Sequence, residues 1–406
     1  MRWFARGLVF AATLGMLSLS GCGAGSSASP PNDLTVTAGD GQVTLNWTAD
    51  SSVQYWVYYA PASSISVDNW TTIVGARALM NVSPPLVING LVNGTTYAFT
   101  MDGRVNNGPR GSGSPSVTAV PRPAGGIWTV GASLGAQDLN AATYGAVGGN
   151  IFVVVGAGGK IVTSLDGITW TTLSNTASTA DLNAVAFGGA SYVAAGSGGA
   201  ILYSTDGITW ASDVSPTSNA LLGLTTNGAS AFVGVGAAGT IVYSADGVNW
   251  STATSGTTND LLAVAYGNGL YVAVGTSGTL LTSTDGVTWT AESSNTSLNL
   301  RSIAYGINAA TSTSLFVAVG ASGALVASTD GVTWTSYGSL PVANINSIIY
   351  GTQFVLVGDS GIIYTSTTGT AWQTQSSGTT NNLKAVARST YSYSAVGASG
   401  TNLSAM

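Results

Sequence analysis

"STDGVTW" occupies residues 283–289 and returns unchanged at 328–334, with near copies at 164–170 (SLDGITW), 204–210 (STDGITW), 244–250 (SADGVNW) and, frayed, at 366–372 (STTGTAW). A second landmark precedes each copy: a Gly-x-x-Gly after an apolar run, whose first glycine is Gly156, Gly196, Gly236, Gly275, Gly320 or Gly358. In every case the closing tryptophan (Trp170, Trp210, Trp250, Trp289, Trp334, Trp372) stands 14 residues after that glycine, so this stretch admits no insertion. A further glycine, Gly397, has no tryptophan at that distance, while an orphan GIWTV at 126–130 carries Trp128 without a preceding Gly-x-x-Gly. Self-similarity at a period of roughly 40 residues marks a repeat architecture and has to be read before anything local.

Within 260–292 the segments LLAVAY, LYVAVG, TLLTS and TWTAE are separated by GNG, TSG and DGV, each short enough for a hairpin. Four antiparallel strands per repeat predict a propeller blade. Left open, the end repeats would expose apolar strand edges, so the segment around Trp128 is expected to complete the last one. The expectation is all-β: a seven-bladed β-propeller of four-stranded blades over 127–406, its last blade closed by the N-terminal strand around Trp128.

The recurring aspartates, Asp166, Asp206, Asp246, Asp285 and Asp330, each precede a glycine in the turn between third and fourth strands. A short carboxylate there can accept the turn's own N–H groups while glycine takes the left-handed conformation. The tryptophan is expected to wedge between neighbours, burying ~200 Å² per ring. The stretch resembles the Asp-box, or bacterial neuraminidase repeat (S-x-D-x-G-x-T-W), with one residue fewer between Asp and Gly. The resemblance covers 127–406 and implies a structural box lying away from any active centre.

Sialidases of that fold use three arginines, a tyrosine paired with a glutamate, and an aspartate. Here the repeats hold only Arg301 and Arg388 as arginines and Glu292 as glutamate, so that set cannot be assembled. The chain has no histidine and one cysteine, which removes Ser-His catalysis, an internal disulfide and Cys/His metal sites. No D-x-D-x-D calcium loop occurs, and the recurring aspartates come one per blade rather than two per cleft. The expectation is no enzyme, no metal and no cofactor.

From each tryptophan to the next Gly-x-x-Gly the spacing varies from 24 to 31 residues, so length change is confined to the loops between blades and the first hairpins. Aligned positions just inside the inner strands are Asn140, Asn183, Leu222, Leu262, Arg301, Asn346 and Lys384. Five are polar, and Asn140, Asn183, Arg301, Asn346 and Lys384 are the candidate ligand-binding residues, converging on a channel mouth able to hold a polar or anionic group. A similar basic placement occurs in propellers resembling photosystem II assembly factors, which bind a protein partner.

Upstream, LTVTAGDGQVTLNW (34–47) reads as two strands about a turn and QYWVYYA (54–60) as a third. Trp47 on the second strand, Leu91 and Tyr97 in LVNGTTYAF (91–99), and SVTAVP (116–121) resemble the core tryptophan, tyrosine corner and last strand of a fibronectin type III domain. The resemblance implies a β-sandwich over 33–121, serving as spacer or binding module; Arg110-Gly111-Ser112 lacks the aspartate of the family's integrin-binding tripeptide.

At the N-terminus Arg2 and Arg6 precede the apolar run 8–19, a signal-peptide core, followed by Leu19-Ser20-Gly21-Cys22. This resembles the bacterial lipobox and implies a signal peptide over 1–21, lipidation of Cys22, and, with Gly23 next, export to the outer membrane. Residues 22–32 are expected to be a flexible tether. Without 1–21, eight basic residues face sixteen acidic ones, a net charge of −8 that repels phosphate backbones and argues against nucleic acid as partner. The resulting expectation is an exported, lipid-anchored protein whose propeller face binds an envelope protein or glycan, or serves as an envelope assembly or scaffold factor; a degenerate glycosidase is the remotest alternative.

Overall fold

The computed structural model describes residues 25–122, 125–145, 150–341, 344–390 and 392–405; the expected signal peptide and Cys22 lie outside them. Apart from short 3-10 turns the described chain is all strand and loop, and none of its helices is long and apolar enough to cross a membrane. It divides into two compact units, one carrying most of the chain up to Val120, the other running from Pro121 and including Ala38–Val43 and Ile88–Gly94.

In the first unit one antiparallel sheet orders Ser26–Ala28, Tyr97–Val105, Gln54–Ala60 and Arg77–Val82, with Val117–Ala119 also paired to Tyr97–Val105. A separate three-stranded sheet holds Thr35–Gly39, Gln42–Asn46 and Leu86–Asn89. Leu45, Tyr58, Phe99 and Met101 are fully buried. Asp102, equally buried, is paired with Arg104 at 3.0 Å, and that guanidinium lies 3.6 Å over the Trp56 ring. Ser26–Ala28 corrects the expectation of a tether: it pairs Ser26 with Val105, Ser27 with Arg104 and Ala28 with Gly103. The pairing is main chain to main chain, and small residues permit it, because a Cβ at Gly108 or Gly111 would collide with the backbone of Ser26 or Ala28. Such a strand has no apolar alternation to read.

The second unit contains, among the described residues, seven four-stranded antiparallel sheets. Their inner strands are Leu139–Gly145, Leu182–Gly188, Leu221–Thr226, Leu261–Gly267, Leu300–Asn308, Ile345–Tyr350 and Leu383–Arg388. Each inner strand packs against the next, and the first also packs against the last, so the series closes into the ring of a β-propeller. In the final sheet the outer strand is Thr129–Val130, from the other end of the unit, with Leu403 opposite Val130 and Ser404 opposite Thr129.

The second strand of each sheet is covered on both faces, which is why it reads as an unbroken apolar run; Ile151–Gly156 is buried throughout. Its aromatic residue, Phe152 or Phe354 for example, meets the tryptophan that closes the same repeat, with ring centroids 6.2 and 6.4 Å apart. The tryptophans are less buried than expected. Trp128 and Trp334 are 8% and 3% exposed, whereas Trp170, Trp210, Trp250, Trp289 and Trp372 are only half-buried.

Strand pairing sorts the turns onto two faces. Gly156 lies opposite Leu139, so the Gly-x-x-Gly turns share a face with the starts of the inner strands; Ser164, opposite Phe152, puts the aspartate turns on the other. In those turns Asp285 Oδ1 accepts Val287 N–H, Thr288 N–H and the Ser283 hydroxyl at 2.8–2.9 Å, and Gly286 takes φ 78°. The hydrogen bonds from Thr288 N–H, Val287 N–H and Ser283 hold the Asp285 carboxyl down to about 2.

Candidate functional site

Each inner strand begins with a β-bulge. Leu139 pairs with Gly156 and Ala141 with Val155, which leaves Asn140 as an extra residue with no partner. The same shift recurs in all seven sheets, and the extra residues are Asn140, Asn183, Leu222, Leu262, Arg301, Asn346 and Lys384. A bulge re-aims one side chain out of the alternation of its strand. All seven of these residues line a single cavity of about 260 Å³ at the centre of the ring, on the Gly-x-x-Gly face. The positions aligned from sequence are thus brought together, by a device that alignment alone does not reveal.

Their chemistry is more committed than their letters imply. The amides of Asn140, Asn183 and Asn346 each donate to the first carbonyl of the next inner strand, at Leu182, Leu221 and Leu383, over 3.1, 3.1 and 2.9 Å. These three asparagines latch sheet to sheet. Lys384 Nζ donates to Asp138 Oδ2 at 2.8 Å and to Asn140 Oδ1 at 3.0 Å. Arg301 donates to Asn346 Oδ1 at 2.9 Å, and Asn346 passes a bond to Asp359 Oδ1 at 2.9 Å. The Lys384 hydrogen bond, with Ser399 N–H beside it, lowers the Asp138 pKa. Burial works against ionisation of Asp359, but hydrogen bonds from Asn344 and Asn346 and the charge of Arg301 outweigh it and hold that pKa low.

Asp138 and Asp359 were not picked out from sequence. For Asp138 a signal existed: the residue before the leading Leu or Ile is Asp138, Asp181, Asp260, Asn299, Asn344 or Asn382 in six of the seven repeats, with Ala220 as the exception. Five of these side chains accept the N–H of the third residue of a neighbouring Gly-x-x-Gly turn at 2.8–2.9 Å. Below the bulges come small residues such as Ala141, Gly223 and Ser302, then aliphatic ones such as Val185, Leu224 and Ile303, which narrow the channel. Among the described residues no group of three or more His, Cys, Asp or Glu is placed to hold a metal.

The sequence profile of the DUF6242 beta propeller domain matches residues 122–262 and again 249–355, together more than half of the chain. The chain belongs to the DUF6242 β-propeller family. The two overlapping matches reflect its internal repetition, and the sheets beyond residue 355 continue the same pattern. No curated protein matches it. Among solved structures it is similar to YCF48 from Cyanidioschyzon merolae, at 20% identity and TM-score 0.55 over 68% of this chain and 98% of that one. It is also similar to YCF48 bound to D1 peptide, at 18% identity and TM-score 0.56 over 68% of this chain and 94% of that one. At such identities the likeness concerns the fold alone.

Proposed function

We propose that this DUF6242 propeller is a non-enzymatic binding module whose central mouth, on the Gly-x-x-Gly face, engages a segment of a protein partner. The protein then works as an assembly or scaffold factor of the cell envelope. The observation that carries this reading is the convergence of seven bulge residues, drawn from seven sheets, on one cavity of about 260 Å³. A fold that brings one side-chain-re-aiming bulge from each sheet around a single opening has the form of a recognition site on a rigid frame. That a protein of similar fold has been solved with a peptide bound favours a polypeptide over a glycan as the partner.

In this reading the propeller has seven blades, the first unit is a fibronectin type III stalk, and Cys22 carries the lipid that holds the protein to the outer membrane. The test is capture from native membranes with the lipidated full-length protein as bait. A defined protein recovered by the native protein but not by Arg301→Ala/Lys384→Ala is the expected result. Capture indifferent to both substitutions, or release of a glycan as the retained species, would remove the proposal.

A further inference from the structure

The wall of the mouth is chemically lopsided. Among the residues lining it none carries a carboxylate and two, Arg301 and Lys384, carry positive charge. Lys384 is already matched by Asp138 at 2.8 Å. Arg301 donates a hydrogen bond to the neutral amide of Asn346, and although its charge is felt by Asp359, among the described residues it makes no ion pair within 4.0 Å. A guanidinium presents several N–H donors in a planar fork, so most of the donor capacity of Arg301 is open to a ligand. An amine would find no such counterpart, because neither Asp138 nor Asp359 lines the mouth, and the first is paired with Lys384 while the second feels the charge of Arg301.

Next to Arg301 around the ring, in the two preceding sheets, stand Leu262 and Leu222, and the cavity deepens onto Leu224, Val264 and Ile303. Donors at the rim and aliphatic walls beside and beneath them describe a ligand with an apolar body and an anionic end. The volume, about 260 Å³, falls below the roughly 300–1,000 Å³ of pockets that enclose a whole small ligand, and suits one end of a longer chain.

Building on the protein-partner reading above, we infer that the mouth is a socket for the C-terminus of a polypeptide ending in an aliphatic residue. The terminal side chain packs against Leu222 and Leu262, and the α-carboxylate lies on the fork of Arg301.

The test uses the purified full chain and a dye-labelled peptide Gly-Ser-Gly-Ser-Leu, prepared with a free carboxylate and as the C-terminal amide, read by fluorescence polarisation. The acid is expected to bind at least about tenfold more tightly than the amide, as befits a charge-assisted hydrogen bond in a partly enclosed site. Arg301→Gln should erase that preference, and Leu262→Ser should weaken the acid form while the unfolding temperature holds. Equal binding of acid and amide, no binding of either, or equally effective competition by inorganic phosphate would overturn the socket. If those results came with membrane capture that still depends on Arg301 and Lys384, the protein-partner reading would stand without it; if capture were indifferent as well, both would fall.

Discussion

Asp138 Oδ2 and Lys384 Nζ lie 2.8 Å apart although 246 residues separate them in the chain. One residue precedes the first inner strand and the other stands on the last, so the contact spans the seam where the ring closes. Asp138 Oδ1 also accepts Ser399 N–H at 2.9 Å, making the carboxylate a double clasp.

The clasp is weak in energy and clear in pH dependence. With side chains 34% and 41% exposed, the ion pair contributes roughly 0.2–1 kcal/mol, so Lys384→Met should lower stability by no more than that. The Asp138 pKa is lowered in the fold, so its contribution is present above the unfolded value of about 3.9 and is lost as pH falls through the depressed folded value. Urea unfolding of both proteins should show a gap at pH 7 that closes as the pH drops below about 4.

One sheet junction has no side chain able to form the equivalent bond. Where Asp181 accepts Gly158 N–H and Asp260 accepts Ala238 N–H, both at 2.8 Å, the position facing the Gly198 turn is Ala220. Ala220→Asp should supply the missing acceptor and stabilise by ~0.5–1 kcal/mol, visible as a small rise in unfolding temperature. Asp260→Ala should cost about as much. A fall in stability for Ala220→Asp would mean that the junction cannot accept the shared geometry.

What was legible in the sequence follows from which constraints are local. The distance from Gly275 to Trp289 spans one tight turn, one short strand and one aspartate turn, none of which can lengthen without breaking the pairing, so spacing alone exposes the repeat. Placing Trp128 beside the tail needed only a missing strand and a spare one. The bulges were invisible because Asn140, Leu222 and Arg301 share no side-chain type; what defines the position is a register shift against Gly156, Gly236 and Gly320. Ser26–Ala28 escaped notice for the opposite reason, since its pairing depends on absent side chains at Gly108 and Gly111. The half-exposed tryptophans show that a repeated aromatic marks a recurring contact, here with residues such as Phe152, without full burial.

The two kinds of glycine in the loops should respond differently to alanine. At Gly278 a Cβ would fall inside the van der Waals shell of the Thr296 carbonyl oxygen, and φ is already +71°. Gly256 has nearly the same φ, +73°, but open space where the Cβ would go. Gly256→Ala should cost only the left-handed penalty, about 1–2 kcal/mol, whereas Gly278→Ala should add backbone displacement to it and leave little folded protein. Comparable expression and melting of the two would refute the steric account of the Gly-x-x-Gly turn.

The aspartate turns predict acid sensitivity. Asp285 and Asp330 are each held at about 2, against an ordinary 3.8, chiefly by N–H groups of their own turns. Depressed folded values mean that this stabilisation is complete above the unfolded pKa and is lost as pH falls from about 4 toward 2. Carboxyl carbon shifts followed by NMR should place the Asp285 midpoint well below that of an exposed aspartate. Asp285→Asn should flatten the acid limb of stability without altering the fold. Thr368, which fills the aspartate's place in the frayed turn, accepts Ala371 N–H at 3.1 Å, against 2.8 Å for Thr288 N–H on Asp285, so Thr368→Asp should be stabilising.

Ring closure is the firmest basis for a mutational test, because the last sheet depends on a strand from the far end of the unit. Trp128 is 8% exposed, packs with Val355, Tyr393 and Leu403, and donates its indole N–H to Gly125 O at 2.8 Å. Trp128→Ala should therefore cost about 3–5 kcal/mol, as for other buried large-to-small changes, while Trp210→Ala, at a half-buried rim position, should cost less. Deleting 121–131 would leave Asn402–Ala405 as an edge strand with one side unpaired. The truncated chain should lose protease resistance first in that last sheet, and a peptide spanning the deleted residues should restore it in trans. If truncation left melting and proteolysis unchanged, the Thr129–Val130 pairing would contribute nothing to the ring, and the shared mouth built from all seven inner strands would lose its structural support.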